Sequence, residues 1–370
     1  MTTEFTQLPN QLSLGDYETG RRRLVDHFSE YDVVLGIYDY GTVQHPGISD
    51  LDIILVVEGS TERDWSGAVS TSFDSLVDEL VGRGNVIVMN RDVFRNLHYI
   101  DPGLEPRHLA GEDVDRRTVD ATTQKHRDHA SVMDWLPERV FQVERLSGSD
   151  TIAVMRALQL LKSLGYSLRT VDELIGFDPG AAFVDEVSDL RSSWFDLDPE
   201  TRETELLELI ESGREVGRDA LSTWWDTTPS TVFADPTGRS GSGVLSYFDG
   251  LAYVEGERSV SRRDGWVTVG VPVPWFDHYR AYASDEHSLG RLISRSMVDG
   301  ESDDTSLDPG YREFLDRKLE ICAANFEWVR QVGLDSGAFR FGFLLGRASW
   351  STDEWETLRA RLDGLRGAAE

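Results

Sequence analysis

The first 120 residues alternate between helical and strand-like hydrophobic patterns. Residues 17–30 carry apolar side chains at helical spacing, whereas YDVVLGIYDYG (31–41), LDIILVV (51–57) and NVIVMN (85–90) have the apolar character of buried strands. Between the last two runs, residues 64–84 predict an amphipathic helix that ends at a pair of glycines. The order helix, strand, turn, strand, helix, strand predicts a layer of strands and helices.

Beyond residue 120 the hydrophobic spacing becomes helical throughout a long stretch. Short turns rich in glycine, proline and aspartate separate four segments at helical spacing. These segments are 126–146, 149–168, 180–195 and 199–225. We therefore expect a helical domain that follows the strand-containing layer.

A stretch rich in serine, glycine and threonine, residues 228–243, marks the next boundary. After it, 244–256 and 266–276 read as strands, and 309–332 and 352–367 read as helices. The predicted fold class is α+β: a small mixed sheet with helices, then a helical domain, then a mixed α/β C-terminal region. The predicted domain limits are 1–120, 121–235 and 236–370, the last without an assigned role.

Charge changes the picture of the surface. The formal net charge is −29, and only three of the 37 basic residues are lysines. An acidic, lysine-poor surface is typical of a halophilic protein that stays soluble in concentrated salt, and an ordinary acidic protein is the alternative. Because phosphate binding normally needs clustered positive charge, nucleic acid is an unlikely main ligand.

The remaining composition narrows the classes further. A single cysteine, Cys322, excludes an internal disulfide and any multi-cysteine metal site. No apolar run reaches transmembrane length, and the first residues have neither a basic start nor an apolar core of a signal peptide. We expect a cytoplasmic protein that does not bind a membrane.

Candidate chemistry is concentrated in GTVQHPGISDLDI, residues 41–53. On a strand, Asp50 and Asp52 point to the same face, and two carboxylates so close repel each other unless a cation lies between them. Mg²⁺ commonly binds one or two carboxylates together with substrate phosphates. Gly41, Thr42 and Gly47 form a preceding turn whose N–H groups can approach a phosphate. The alternative is a solvated acid pair at an exposed strand end.

These residues resemble the signature of the nucleotidyltransferase superfamily, which includes DNA polymerase β and the aminoglycoside nucleotidyltransferases. The run YGT (40–42) is similar to the glycine-containing turn of that signature, and SDLDI (49–53) to its strand with two acids. The resemblance covers residues 17–120. It implies a mixed, mostly antiparallel sheet, Mg²⁺ as cofactor, and transfer of a nucleoside monophosphate from a nucleoside triphosphate.

The resemblance also implies roles for individual residues. Asp50 and Asp52 would be catalytic residues and metal ligands, Gly41 and Thr42 would contact the β- and γ-phosphates, and Ser49 would support the nucleotide-binding turn. Thr42 stands where the family has serine or glycine, so a hydroxyl group is retained. The loop that leads to Asp50 is short for the family, which leaves fewer backbone donors for the triphosphate.

A third carboxylate, which the family uses as general base or metal ligand, is not obvious here. Its expected position falls near Met89 or Asn90, and an amide cannot accept a proton as a carboxylate does. Asp92 lies two residues further on and reaches the metals only if the strand continues.

Lys162, on the second predicted helix of the helical domain, is the candidate cation for the triphosphate; a lysine on the helix surface is the alternative.

The pair His126 and His129 has helical i, i+3 spacing, which suits a shared metal ion, but its charged flanks favour a solvated helix face.

The main hypothesis is a metal-dependent enzyme that moves a nucleoside monophosphate from a triphosphate, with ATP as the expected donor, to a hydroxyl group of a small molecule or protein. The alternative is a nucleotide-binding or regulatory protein on the same fold. A third acid close to Asp50 and Asp52 distinguishes the two.

Overall fold

The structure is a computed structural model of the chain and describes residues 3–59, 73–81, 86–100, 105–227, 242–248, 251–255, 267–272 and 307–331. It has the predicted α+β fold. A four-stranded mixed sheet with flanking helices comes first, long helices follow, and a three-stranded antiparallel sheet and one more helix lie near the end of the described part.

The N-terminal elements occur in the predicted order. They are β1 (Glu4–Thr6), α1 (Leu14–Ser29), β2 (Val34–Tyr40), β3 (Asp52–Val57), α2 (Ser75–Val81), β4 (Val86–Asn90), α3 (Arg91–Arg95), α4 (Leu97–Ile100) and β5 (Arg107–Gly111). Of the helix expected over 64–84, the described portion forms α2, and residues 60–72 and 82–85 lie outside the described residues.

The main sheet has the strand order β4-β3-β2-β5. The pairs β2–β3 and β2–β5 are antiparallel, whereas β3 and β4 are parallel, so the sheet is mixed and mostly antiparallel as expected. One face packs under α1 and α2, where Leu24, Phe28 and Leu80 cover Ile53 and Leu55. Every second residue of β3 therefore enters this core, which fixes the register of the strand.

The opposite face of the sheet forms a second core. Tyr38, Ile54 and Val56 point to this face, and Phe94 of α3 packs against them. Ile321, from a helix much later in the chain, belongs to the same core. Because both faces are covered, the apolar run of β3 is continuous rather than alternating.

The four predicted helices are present, but residues 151–153, expected within the second of them, form a short strand. The helical segment consists of α5 (Ala121–Ser147), a short strand β6 (Thr151–Ala153), α6 (Val154–Ile175), α7 (Pro179–Ser193) and α8 (Pro199–Thr227). The strand β1 pairs in parallel with β6, with Phe5 opposite Ile152. The first residues of the chain are thus part of the same structure as the helices rather than of the main sheet.

The C-terminal part contains the predicted strands and one of the predicted helices. The strands β7 (Ser242–Phe248), β8 (Leu251–Glu255) and β9 (Val267–Pro272) form an antiparallel sheet in the order β8-β7-β9, and α9 spans Pro309–Gln331. The helix expected over 352–367 and residues 228–241 of the expected boundary lie outside the described residues.

Helix α9 contacts both earlier parts of the chain. Tyr311, Phe314 and Leu315 pack in the core of α5–α8, whereas Ile321 packs on the second face of the main sheet. In the described part of the chain, no helix combines the length and the apolar character needed to cross a membrane.

Candidate functional site

The loop between β2 and β3 is held in one conformation by its own backbone and by α1. Gly41 and Gly47 have φ angles of +75° and +87°, which favour glycine. A side chain on Gly47 would overlap the carbonyl oxygen of Asn10. The Tyr17 hydroxyl group accepts a hydrogen bond from the Gly47 N–H at 3.0 Å and donates one to the carbonyl oxygen of Ser49. The residues before Asp50 are thus firmly placed.

Ser49 has a supporting role in this loop. Its side chain is buried, and its Oγ accepts a hydrogen bond from the His45 N–H at 3.2 Å. Arg191, on α7, has its Nη2 3.5 Å from Ser49 Oγ. Its Nη1 donates a hydrogen bond to the Leu158 carbonyl oxygen at 3.0 Å. The hydroxyl group of Ser49 is therefore hydrogen-bonded within the turn, and its part in nucleotide binding stays a prediction.

The other residues expected to bind metal and nucleotide line one cleft. Gly41, Thr42, Asp50, Asp52 and Lys162 all border it, at the edge where β3 begins. The enclosed part of the cleft is small, about the size of one water molecule or metal ion, and it opens directly to solvent. Phosphate groups and the rest of a nucleotide would lie at its mouth.

Asp52 has the most perturbed environment among these side chains. Burial and then the negative charge of Asp50 raise the pKa of the Asp52 carboxyl far above its usual range, while Lys162 and a hydrogen bond from Tyr40 act in the opposite direction. A desolvated carboxylate beside another carboxylate is stabilised by a hard cation between them. The oxygen donors present at this point therefore fit Mg²⁺.

Helix α6 supplies the polar groups on the other side of the cleft. Lys162 faces the acid pair and has its Nζ 5.5 Å from the centre of the Tyr166 ring. One turn earlier, Gln159 donates a hydrogen bond from Nε2 to Asp50 Oδ2 at 3.4 Å. The helical segment thus contributes side chains to the same cleft as the two acids, and the binding of a triphosphate by Lys162 stays a prediction.

Asp92 does not join the acid pair. The strand β4 stops at Asn90, whose side chain accepts a hydrogen bond from the Val93 N–H at 2.9 Å and caps α3. Asn90 lies opposite Val57, at the far end of β3 from Asp52, which is about 17 Å at the usual rise per residue. The strand does not continue, so Asp92 lies exposed in the first turn of α3, and the expectation that it reaches the metals is corrected.

A third carboxylate does border the cleft, but it comes from β2. Asp39 is 3% exposed and is bound by two arginine side chains, Arg21 of α1 and Arg107 of β5. In the described part of the chain, no three His, Cys, Asp or Glu side chains are placed to hold a metal ion. A metal at this site would therefore rely on Asp50 and Asp52 together with water or phosphate oxygens.

The histidine pair is buried, so the expected solvated helix face is wrong. His126 and His129 on α5 are 8% and 2% exposed. His126 packs against Tyr311 of α9, and His129 packs against Trp224 of α8. Burial lowers the pKa of His129 to about 4, with a smaller contribution from the charges of Lys125 and His126. Core packing, rather than metal binding, accounts for both side chains.

Comparisons of the chain with models of protein families, with curated proteins and with solved structures found no match. The functional assignment therefore depends on the residues of the cleft alone.

Proposed function

We propose that the protein is a Mg²⁺-dependent nucleotidyltransferase that acts at the cleft between β3 and α6. The observation that carries the proposal is the half-buried pair Asp50 and Asp52, which faces Lys162 and adjoins the turn at Gly41 and Thr42. Like charges are placed together in a partly dry cleft only at a cost in stability. Such a cost is typical of functional sites.

Each group has a role in this chemistry. Asp50 and Asp52 would hold Mg²⁺, which neutralises charge on the phosphates. Backbone and hydroxyl donors of Gly41 and Thr42 would bind the triphosphate, with Lys162 as a further cation. A hydroxyl group of the acceptor attacks the α-phosphorus, the bond to the β-phosphate oxygen breaks, and pyrophosphate leaves. Catalysis is then mainly positioning and charge neutralisation.

Thermal unfolding tests the site directly. The wild-type protein in concentrated KCl would be heated with ATP, CTP, GTP or UTP, with and without Mg²⁺. A double variant, Asp50→Asn and Asp52→Asn, keeps the shape of both side chains and removes their charge. Asp92→Asn is the control, because it is the same type of substitution at a single aspartate near the far end of β3, away from the cleft.

We expect Mg²⁺-dependent stabilisation by a nucleoside triphosphate in the wild type and in Asp92→Asn, and its loss in the double variant. ATP is the nucleotide we expect to act best. If no triphosphate stabilises the wild type at any Mg²⁺ concentration, the proposed function is refuted. Release of pyrophosphate with candidate small molecules or proteins as acceptors then measures transfer itself.

A second candidate function is a nucleotide-binding protein without turnover. The observation that favours it is Asp39, the third acid of the cleft, whose two carboxylate oxygens both accept hydrogen bonds from arginine side chains rather than facing a substrate. This candidate predicts the same Mg²⁺-dependent stabilisation but no release of pyrophosphate with any acceptor. The transferase remains our first proposal, because an activated acceptor hydroxyl can lose its proton to water or to the bound phosphates.

A further inference from the structure

Two arginines from different elements meet at a single oxygen atom beside the cleft. Arg21 of α1 donates from Nε to Asp39 Oδ2 at 2.7 Å, and Arg107 of β5 donates from Nη2 to the same oxygen at 2.6 Å. Arg107 also donates from Nε to Oδ1 at 3.0 Å. The carboxylate is buried, whereas the Arg21 and Arg107 side chains are 22% and 67% exposed.

The charges in this group do not cancel. One carboxylate is paired with two guanidinium groups, so the cluster Arg21–Asp39–Arg107 carries a net charge of +1. Since both donor atoms contact Oδ2, the two cations are held within about 5 Å of each other, and they repel. In a chain with a net charge of −29, such an excess of positive charge beside two aspartates is unusual.

The hydrogen-bonding capacity of Arg21 is only partly used. Its Nε donates to Asp39, and within the described residues neither of its Nη groups has a hydrogen-bond partner. Arg21 borders the cleft together with Thr42, Asp50 and Asp52. The hydrogen bond from Nε to Asp39 orients the guanidinium group of Arg21. Its two Nη groups remain as donors for a ligand. Guanidinium groups bind phosphate through two parallel hydrogen bonds.

We propose that Arg21, held by Asp39 and assisted by Arg107, binds the terminal phosphate of a nucleoside triphosphate. The inference rests on the proposed function, because it places the α-phosphate at Asp50 and Asp52 and the triphosphate along the turn that contains Thr42. Arg21 then determines the number of phosphates that the site prefers. An incoming phosphate also offsets the repulsion between the two guanidinium groups.

A purely structural role is the alternative. The ion pairs join α1 to β2 and β5, so they also stabilise the packing of these elements. A structural role predicts that loss of Arg21 lowers thermal stability without changing the preference among phosphate ligands. A phosphate-binding role predicts a loss that depends on the number of phosphates in the ligand.

Binding of ATP, ADP, AMP and inorganic tripolyphosphate, each with Mg²⁺ in KCl of constant concentration, separates these roles. The variants are Arg21→Gln and Arg107→Gln, and the second keeps the test possible if the first folds poorly. The control is Arg23→Gln, since Arg23 lies on the same helix, is half-exposed and pairs with Asp74 at 2.7 Å. Circular dichroism and thermal unfolding establish that each variant is folded.

We expect Arg21→Gln to raise the Kd for ATP and for tripolyphosphate at least about tenfold while the Kd for AMP changes little. Arg107→Gln should also raise the Kd for ATP and tripolyphosphate more than the Kd for AMP, but by a smaller factor. Arg23→Gln should bind all ligands as the wild type does. The proposal is overturned if Arg21→Gln weakens AMP as much as ATP, or if Arg23→Gln has the same effect.

The test also separates this proposal from the proposed function. If ATP binding needs Asp50 and Asp52 but is unchanged in Arg21→Gln, the phosphate site at Arg21 is refuted and the transferase proposal stands. If the wild type binds tripolyphosphate through Arg21 but no nucleotide in an Asp50- and Asp52-dependent way, the phosphate-binding role of Arg21 is supported and the transferase is refuted.

Discussion

Acidification should destabilise this protein, and the buried imidazole of His129 should account for a measurable share of the loss. Its side chain is 2% exposed on α5, and in the described structure neither ring nitrogen has a hydrogen-bond partner. The His129 ring lies against that of Trp224 on α8, with the ring centres 6.2 Å apart. The charges that act on His129 are those of Lys125 and His126. None of these groups stabilises a protonated imidazole.

The size of the effect follows from the pKa. Folding lowers the pKa of His129 from 6.5 to about 4, so the unfolded chain takes up a proton at a higher pH than the folded protein does. Stability is therefore lost as the pH falls from 6.5 through about 4. The full shift corresponds to about 3 kcal/mol of unfolding free energy, and about 2 kcal/mol is lost by about pH 5.

Urea unfolding at constant salt concentration measures this loss, because urea leaves the ionic strength unchanged. The free energy of unfolding of the wild type and of His129→Leu would be compared between neutral pH and about pH 5. The leucine variant should lose about 2 kcal/mol less than the wild type over this range. His108→Leu, which removes an exposed imidazole, is the control. Parallel losses in the wild type and His129→Leu would refute the reasoning.

Three further predictions concern the loop, the strand end and the metal. Gly47→Ala should lower the melting temperature and abolish stabilisation by nucleotide, because the added Cβ would overlap Asn10. The control is Gly176→Ala, which has a similar positive φ but open space around it, and it should lower the free energy of unfolding by only about 1–2 kcal/mol. Asn90→Ala should lower stability by about 1 kcal/mol by loss of a helix cap, with nucleotide binding unchanged in a titration. Since the pKa of Asp52 is raised, calorimetric Mg²⁺ affinity should fall as the pH decreases, with proton release on binding.

Local patterns were enough to predict the main strands and the long helices. The two acids border one cleft, but only Asp52 lies on β3, and Asp50 belongs to the loop before it. Groups that meet through the fold were missed. Asp39 and Arg107 are 68 residues apart, and Arg191 is 142 residues from Ser49. A lone aspartate in the apolar strand GIYDY was the one local signal for Asp39.

The two errors have different physical origins. Asp92 was expected on a strand, but the capping of α3 by Asn90 ended that strand and turned the chain into a helix. His126 and His129 were expected in water because their neighbours in sequence are charged. Their actual neighbours are aromatic side chains of α8 and α9, from 95 to 185 residues later in the chain. A local helix cap decided the first case, and tertiary contacts overrode local composition in the second.

The position of α9 has a consequence for the order of events during synthesis. Its residues Tyr311 and Phe314 complete the core of the helices, and Ile321 completes one face of the main sheet. While the ribosome is still making residues 228–306, both apolar surfaces remain exposed to solvent and to other nascent chains. We expect the earlier parts to stay incompletely packed until α9, the last translated helix of the described chain, emerges and completes both cores.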